Sequence, residues 1–388
     1  MSARNGNGER HTTLLALTSS AMLLPAYQGA QADAPPEYTE LGLRYSKYKE
    51  DDIPGRKSFG SGSERYDIDV AQFHLLAPVA DSWSVALDVA WEDMSGASPW
   101  FVGESADGDP RVIMSGASIE DTRTEVSVNT RYYYDRGNAG LSYTNSDEDD
   151  YQSDAVSLDG AFNSADGMRT YAAAISASWD DIEPTQGAVP TNTLQDDKDI
   201  RSAWIGVSQI VSKRAIVRFG LSYTYRDGFL TDPYKNRDSR PDERKEWTAS
   251  AGYRHFFQQQ DAALHVDYRY FDDDWDVVSH TLDLSWHQNV NDQLQLIPFL
   301  RYYSQDEAEF FDVVADTSQR YYADDYRLSA FGAFTYGLRL RRELGNWSLN
   351  LAGERYKSDE SWGLYSGDEA PGLVDYWRYS LGVDYVFR

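Results

Sequence analysis

Apolar residues recur at every second position along most of the chain. In residues 83–92, WSVALDVAWE, an apolar series that starts at Trp83 alternates with small or polar side chains. Because successive side chains of a β-strand point to opposite faces, this period of two predicts strands with one apolar face. Similar segments predict about sixteen strands, at residues 37–49, 65–79, 82–93, 122–135, 138–146, 153–163, 169–180, 200–212, 214–227, 244–257, 261–273, 276–290, 292–305, 324–343, 345–358 and 374–388.

The connections between the predicted strands alternate between short and long. DRGN at 135–138 and RELGN at 342–346 are tight, whereas DDIEPTQGAVPTNTLQDDKD at 180–199 and QDEAEFFDVVADTSQRYYADD at 305–325 are long and acidic. An even number of antiparallel strands of about ten residues, with short turns on one side and long loops on the other, is typical of a transmembrane β-barrel of the bacterial outer membrane.

A large secreted sandwich or propeller would also show alternation. Against it, Trp83, Trp91 and Trp377 lie near strand ends on the apolar face, like the aromatic girdles at the two membrane interfaces. The chain also ends on an alternating strand, WRYSLGVDYVFR, which resembles the terminal strand by which the insertion machinery recognises outer-membrane barrels. The predicted fold class is therefore all-β, an antiparallel transmembrane barrel with short periplasmic turns and long external loops.

The amino terminus predicts export. It has two arginines, an apolar run at residues 14–24 and a small-x-small site at residues 30–32, as in a cleaved secretory signal. That run is too short to span a bilayer. We expect a signal peptide at 1–32, one barrel domain at 33–388 and a location in the cell outer membrane.

Composition restricts the chemistry of the protein. The absence of cysteine excludes disulfides, thiolate metal sites and thiol nucleophiles. A net charge of −27 opposes nucleic-acid binding, because a phosphate backbone requires a basic surface. The sequence contains no serine-hydrolase elbow, zinc-protease motif, phosphate-binding glycine loop or dinucleotide fingerprint, and its six histidines are scattered. We therefore expect no enzyme activity and no cofactor.

Two acidic loops leave a cation site open. NSDEDDYQSD at 145–154 and FDDDWDV at 271–277 cluster the hard oxygen ligands that Ca²⁺ and Mg²⁺ prefer, although neither has the ligand spacing of an EF-hand loop. A solvated anionic rim is the plainer interpretation. The other interpretation is that these carboxylates share divalent cations with lipopolysaccharide phosphates.

One pentapeptide, MSGAS, occurs twice in the connection 94–121, at 94–98 and 114–118. Small residues let backbones approach closely, so the two copies predict a paired feature of a loop that folds across the barrel mouth. Coincidence in a loop rich in Ser, Gly and Ala is the alternative. The residues predicted to structure this loop are Ser95, Gly96, Ser98, Ser115, Gly116, Ser118, Asp121 and Arg123.

A second long loop, residues 226–247, is rich in Arg and Lys in an otherwise acidic chain. We expect it to fold back over the pore and to pair with acidic neighbours such as Asp121 or the cluster at 147–150, so that replacing Arg240 and Arg244 should loosen gating. An exposed loop with balanced charge is the alternative.

The strand phase assigns the charged residues to the lumen. If Leu43, Leu221 and Leu381 face lipid, the alternate side chains face inward, where charge costs less than it does on the lipid face. In the first eight strands the predicted inward charges are Glu40, Asp69, Asp88, Glu92, Glu125, Asp159 and Asp180, with Arg44 and Arg131. In the last eight they are Arg218, Arg226, Arg254, Arg269, Arg301, Arg327, Arg339, Arg341 and Arg378, with Asp267, Asp283, Glu354 and Asp384.

This pattern predicts an acidic wall opposite an arginine wall. The pore-lining residues expected to act on solutes are Asp88, Glu125, Arg131, Arg218, Arg269, Arg301 and Arg339. The alternative is that the charges pair and fill the lumen, since buried charges persist only when they are paired.

Four stretches together resemble a known family: EDMSGASPW at 92–100, MSGASIEDTR at 114–123, TDPYK at 231–235 and RPDERKEW at 240–247. They look like a family of bacterial outer-membrane barrel proteins that carries a domain-of-unknown-function heading, and the similarity covers nearly the whole mature chain. The resemblance implies a barrel in the outer membrane. It also implies a connection with periplasmic redox proteins, because thioredoxin-like and flavin-transfer proteins are encoded near members of the family.

Two functions remain. The first is a diffusion pore for small polar or charged solutes, because sixteen strands enclose an aqueous channel. The second is a non-conducting binding or assembly element linked to periplasmic redox partners. In either case the expected partners are outer-membrane lipid and lipopolysaccharide and the barrel-insertion machinery, with assembly into a homo-oligomer left open.

Overall fold

A computed structural model describes residues 34–59, 64–114, 119–184 and 195–388, without the side chains of residues 119 and 120. The signal segment predicted at 1–32 lies outside these residues. No helix in the described part of the chain has the length and apolar character to cross a membrane.

Sixteen of the strands in these residues close an antiparallel barrel. In wall order they are β1 (Thr39–Glu50), β2 (Asp67–Ala80), β3 (Trp83–Gly96), β6 (Ile119–Tyr134), β7 (Gly137–Asp147), β8 (Tyr151–Asn163), β9 (Arg169–Ile182), β10 (Asp196–Ser212), β11 (Ala215–Gly228), β13 (Glu243–Phe257), β14 (Ala262–Asp273), β15 (Val278–Asn291), β16 (Leu294–Gln305), β18 (Phe331–Leu344), β19 (Trp347–Asp359) and β20 (Tyr376–Phe387). β1 pairs with β20 from Thr39 opposite Phe387 to Glu50 opposite Tyr376, so the wall has no free edge.

Four shorter strands belong to the external loops. β4 (Pro99–Glu104) and β5 (Pro110–Met114) form a hairpin, and β12 (Asp238–Ser239) pairs with β17 (Tyr322–Ala323) from a different loop. Two 3₁₀ turns follow at Tyr326–Leu328 and Glu360–Trp362, each capped by an aspartate that accepts a backbone N–H.

The wall is apolar outside and polar inside. Leu43 is 54% exposed and Ile205 60%, as expected for side chains that face lipid. Aromatic pairs lie near both ends of the outward face. The ring centres of Trp347 and Tyr385 are 4.6 Å apart near the short turns, and those of Tyr223 and Trp247 are 4.7 Å apart near the loops. These positions match the two interfacial girdles that the sequence predicts.

Two predicted boundaries change. The strand predicted at 324–343 begins at Phe331, because residues 324–330 form a buried part of the preceding loop. The connection predicted at 94–121 is shorter, since Gly96 pairs with Ile119 and the ladder between β3 and β6 continues to that level. Backbone pairing extends these strands beyond the segment that alternates, so hydrophobic periodicity alone could not detect the extension.

Candidate functional site

The inward face of the barrel holds a dense set of charged side chains. Pairing between strands keeps residues of one register row on one face, so the lipid-facing Leu43, Leu221 and Leu381 identify the inward positions. By this criterion all seven residues predicted to line the pore face inward: Asp88, Glu125, Arg131, Arg218, Arg269, Arg301 and Arg339.

Many of these charges pair with a neighbouring strand. Arg131 Nη2 lies 2.8 Å from Asp159 Oδ2, and Arg301 Nε donates to Asp283 Oδ1 at 2.6 Å. Arg378 Nη2 lies 2.9 Å from Glu354 Oε1. The charges are therefore compensated mainly within the wall rather than across the lumen.

The division into an acidic and a basic half is weaker than predicted. Arg123 and Lys198 face inward in the acidic half, and Lys198 Nζ lies 3.8 Å from Asp180 Oδ2. Glu246 and Asp273 face inward in the other half and lie beside Arg244. Arginine still predominates among the inward charges of β11–β20. The described inward arginines there are Arg218, Arg226, Arg244, Arg254, Arg269, Arg301, Arg339, Arg341 and Arg378.

Two residues were assigned to the lumen wrongly. Asp69 is opposite Lys47 on the outward face, where Lys47 Nζ lies 3.2 Å from its Oδ2 and the Tyr45 hydroxyl also binds it. Near the loop end the outward face leaves the hydrocarbon, so a carboxylate is tolerated there. Arg327 belongs to a loop and not to β18, because that strand begins four residues later.

The external loops pack on each other over the barrel mouth. We call this assembly the cap. It comprises the described residues 51–59, 64–66, 97–114, 229–242, 274–277, 306–330 and 368–375.

Hydrogen bonds to backbone carbonyls join the parts of the cap across long sequence separations. Lys235 Nζ donates to the Pro99 carbonyl at 2.9 Å, and Asn236 N donates to the Trp100 carbonyl at 3.1 Å. The β12–β17 pair joins the basic loop to loop 306–330. A buried apolar cluster that includes Trp275, Phe310, Phe311, Leu328 and Ala370 fills the space between the loops.

Arg240 is at the centre of a buried ionic network in the cap. Its Nη2 lies 2.7 Å from Asp238 Oδ2 and 2.8 Å from Asp325 Oδ2. Arg327 also binds Asp325, and its Nη2 lies 2.5 Å from Asp232 Oδ2. Burial tends to raise the pKa of Asp325, but Arg327 and the other cations outweigh it and hold that pKa well below the usual range.

The basic loop therefore folds onto its neighbours and reaches the predicted 147–150 cluster, but its arginines bind other carboxylates. Arg240 binds Asp238 and Asp325 instead of Asp121 or the 147–150 cluster. Arg244 is outside the cap and faces the lumen, where it binds Asp273. The contact with the 147–150 cluster comes from Tyr234, whose hydroxyl binds Asp150.

Asp324 is a buried carboxyl in the same network. Its Oδ2 accepts the Val102 N–H at 2.8 Å, whereas no described residue hydrogen-bonds its buried Oδ1. Burial raises the pKa of Asp324 to about 7; the Val102 N–H and Lys235 oppose the rise, and Asp325 and Asp238 add to it. This carboxyl therefore titrates near neutral pH.

The first MSGAS copy ends β3 and leads into the hairpin. Gly96 has a φ of +137°, and a Cβ there would lie 2.5 Å from the Arg65 carbonyl oxygen. Ser95 faces outward, and Ser98 hydrogen-bonds the Tyr66 side chain. Of the second copy, Met114 pairs with Pro99 in the hairpin, and Ser115, Gly116 and Ser118 lie outside the described residues.

One acidic group has the composition of a cation site. Asp121, Glu148 and Asp150 offer carboxylate oxygens that all lie within 4.8 Å of one another. Burial raises the pKa of Glu148 to about 7, with Arg123 opposing and Asp121 adding to the rise. Arg123 Nε, 3.6 Å from Glu148 Oε1, already supplies positive charge where an ion would bind.

The second acidic loop is structural. Asp273 Oδ1 accepts the backbone N–H groups of Trp275 and Val277 at 2.9 and 3.0 Å, and its Oδ2 binds Arg244. Its carboxylate therefore shapes the turn that follows β14.

Sequence reasoning missed Asp324, Asp325 and Asp232, which complete the cap network. They lie in two different loops, and neither shows periodicity. The excess of Arg and Lys in the facing loop was a usable signal, because buried cations require acidic partners.

Comparison with solved structures supports the architecture. The chain is similar to CdiB from Acinetobacter baumannii, with a TM-score of 0.54 and 10% identity over 91% of this chain and 60% of that chain. It is also similar to a bacterial polysaccharide outer membrane secretin, with a TM-score of 0.48 and 9% identity over 90% and 99% of the two chains. A mutant of the ferric enterobactin receptor PfeA from Pseudomonas aeruginosa gives a TM-score of 0.44 and 10% identity over 84% and 54%.

The chain thus spans 60% of the length of CdiB, and identities this low show the fold alone. With its closed sixteen-strand wall, the protein has the fold of an outer-membrane β-barrel. No curated protein matches the sequence. The sequence model of a family described as "Protein of unknown function (DUF3570)" matches residues 14–378.

Proposed function

The chain therefore belongs to this family, and we propose that it is a diffusion pore for small polar or charged solutes, narrowed at its outer mouth by the cap. The observation that carries the proposal is the set of inward arginines on β11–β20, among them Arg269, Arg301 and Arg339. Charged rings and walls of this kind set the ion preference of aqueous pores. The proposal assigns the chain no catalytic step.

The arginines favour anionic solutes. The guanidinium carbon of Arg339 lies 4.3 Å from the ring centre of Phe299. The guanidinium carbon of Arg269 lies 5.5 Å from the ring centre of Phe271. An aromatic face holds a guanidinium in place without cancelling its full charge. In a narrow, low-dielectric channel such a charge is focused onto passing solutes.

The experiment measures ion selectivity in planar bilayers under a salt gradient. Replacing Arg301 and Arg339 together with Gln should shift the reversal potential toward cation selectivity, because two positive charges leave the lumen. Arg342→Gln is the matched control, since this arginine lies on the outward face of β18 and should leave the reversal potential unchanged. A purified, folded barrel that conducts no ions, both with the cap intact and with the cap loosened, would refute the pore.

The packed cap favours a second candidate, a barrel that does not conduct and serves as a binding or assembly element for periplasmic partners. Cap residues such as Ala308 and Ala323 are at most 1% exposed, so the loops form a compact layer. The conductance of a variant with a loosened cap, such as Arg240→Gln, distinguishes the two candidate functions. If that variant also passes no current, the non-conducting function is favoured.

A further inference from the structure

Three adjacent strands arrange their outward side chains in rows near the loop end. Arg201, Tyr225 and Lys245 are opposite one another on β10, β11 and β13. The next row toward the short turns is Ala203, Tyr223 and Trp247, and the row after it is Ile205, Leu221 and Ala249. From the loops toward the bilayer centre, the surface therefore changes from cationic to aromatic to aliphatic.

The two upper rows enclose a concavity of about 450 Å³. It is lined by Arg201, Ser202, Ala203, Tyr223, Tyr225 and Lys245. Tyr223 lines its lower part, and the Trp247 ring packs beside Tyr223 with the two ring centres 4.7 Å apart. The cavity opens outward, away from the lumen, so it faces the membrane and not the solutes of a pore.

Both cations are accessible. The Arg201 side chain is 67% exposed and the Lys245 side chain 48%. Arg201 Nη2 lies 3.1 Å from Asp199 Oδ2, and Lys245 Nζ lies 3.3 Å from Glu243 Oε2 and 3.8 Å from Asp274 Oδ2. Exposed ion pairs of this kind contribute little stability, about 0–1 kcal/mol, so a doubly charged phosphate can compete for the cations.

Lys47, also an outward cation near the loop end, is held differently. Its Nζ lies 2.6 Å from Asp67 Oδ1 and 3.2 Å from Asp69 Oδ2, so two carboxylates of the adjacent strand enclose it. The pair Arg201 and Lys245 instead flanks an open concavity with an aromatic floor. Arg201 and Lys245 are therefore more open to an added anion than Lys47 is.

We propose that this concavity binds a phosphorylated glycolipid of the outer leaflet, the lipopolysaccharide. One phosphate lies between Arg201 and Lys245, and the acyl chains pass down over Tyr223 and Trp247 onto Ile205 and Leu221. The guanidinium offers bidentate donors to phosphate, and the order of the rows matches the order of headgroup, interface and hydrocarbon in the lipid. The proposal is independent of conduction through the lumen.

The test uses the purified full chain in detergent with three additives: lipopolysaccharide, the same lipid after phosphatase treatment, and inorganic phosphate. The variant is Arg201→Gln with Lys245→Gln. The matched control is Lys49→Gln with Lys357→Gln, which removes two exposed lysines from the outward faces of β1 and β19. The readouts are the thermal unfolding midpoint and the number of lipids retained in native mass spectrometry.

Lipopolysaccharide should raise the unfolding midpoint of the wild type and of the control, and its apparent affinity for the double variant should fall at least threefold. The dephosphorylated lipid should bind the wild type as weakly as it binds the double variant. Equal lipopolysaccharide affinity in all three proteins would overturn the proposal, and so would full binding of the dephosphorylated lipid to the wild type. Stabilisation by inorganic phosphate at matched concentration would show a free-phosphate site and would also reject the lipid. The ion selectivity of the double variant should equal that of the wild type. Failure of the lipid proposal can therefore be distinguished from failure of the pore proposal.

Discussion

At the scale of single residues, Asp324 couples the cap to pH. The residue is 5% exposed, and Lys235, Asp238 and Asp325 are the charged groups that act on its carboxyl, beside the Val102 N–H that the carboxyl accepts. Arg240 and Arg327 reach the same network through Asp325. The pKa of Asp324 in the folded cap is about 7, above the usual 3.8.

A raised pKa means that the folded cap prefers the protonated carboxyl. Its contribution to cap stability is fully present below pH 4, decreases as the pH rises toward 7 and is lost above that pH. Each unit of pKa difference corresponds to about 1.4 kcal/mol, so the total effect is a few kcal/mol. Limited proteolysis of the external loops between pH 5 and 8.5 should show faster cleavage at the higher pH. Asp324→Asn keeps an acceptor for Val102 and should flatten this dependence; an unchanged profile would contradict the assignment.

Gly96 is required by backbone geometry. With a φ of +137° and the Arg65 carbonyl 2.5 Å from the position of a Cβ, any side chain there is strained and must displace backbone. Gly96→Ala should cost about 1–3 kcal/mol, seen as a lower midpoint in urea unfolding. Gly55→Ala is the control, because a Cβ there meets nothing within 4 Å. Equal midpoints for the two variants would show that the close approach to Arg65 does not matter.

The sequence predicted single residues well only where the strand period applied. Arg301 and Asp88 face inward as predicted, because alternation continues through the membrane. Asp69 was assigned wrongly because the polar and apolar faces become alike near the loop end, where Lys47 and Tyr45 also bind it. Arg327 was assigned wrongly because an alternating pattern continued into a loop.

At the scale of elements, the basic loop joins the parts of the cap. Arg240 reaches Asp325 in a second loop, and Lys235 reaches Pro99 in a third. Removal of one partner of a buried pair leaves the other charge uncompensated, which costs about 3–5 kcal/mol when no other cation helps. Arg327 remains beside Asp325, so the loss should be smaller than this.

Arg240→Gln should therefore loosen the cap without unfolding the wall. Single-channel recordings should show more frequent opening or greater open-channel noise, because the loops lose their common partner. Arg320→Gln tests the same cap with an exposed arginine and should leave the traces unchanged. Identical traces for the wild type and Arg240→Gln would show that the Arg240 ion pairs do not control conduction.

The strands and the loops differed in how far the sequence predicted them. Most barrel strands follow the predicted segments closely, because each has a lipid-facing row. The hairpin β4–β5 was not predicted because its strands are short, and the pair β12–β17 was not predicted because its two strands come from different loops. Local periodicity carries no information on such contacts.

At the scale of the whole molecule, closure depends on the last strand. Leu381 lies in the middle of β20, faces lipid and is 46% exposed, with Leu351 and Tyr45 opposite it on the two neighbouring strands. Arginine on the lipid face near the bilayer midplane costs about 2–4 kcal/mol. Leu381→Arg should therefore lower the fraction that migrates as folded barrel on unheated gels, whereas Leu381→Ile should not. A normal folded fraction for the arginine variant would place Leu381 away from the hydrocarbon.

The hairpin β4–β5 connects distant parts of the barrel wall. It rises between β3 and β6, whereas the loops that hold it rise between β11 and β13 and between β16 and β18, each six strands away around the ring. Distant arcs of the wall are thus tied together above the membrane. A tie of this kind resists flattening of the tube, because wall segments six strands apart can move relative to one another only if the hairpin contacts break. We expect this barrel to keep a round cross-section, so the distance between opposite lumen walls is set by contacts that lie outside the membrane.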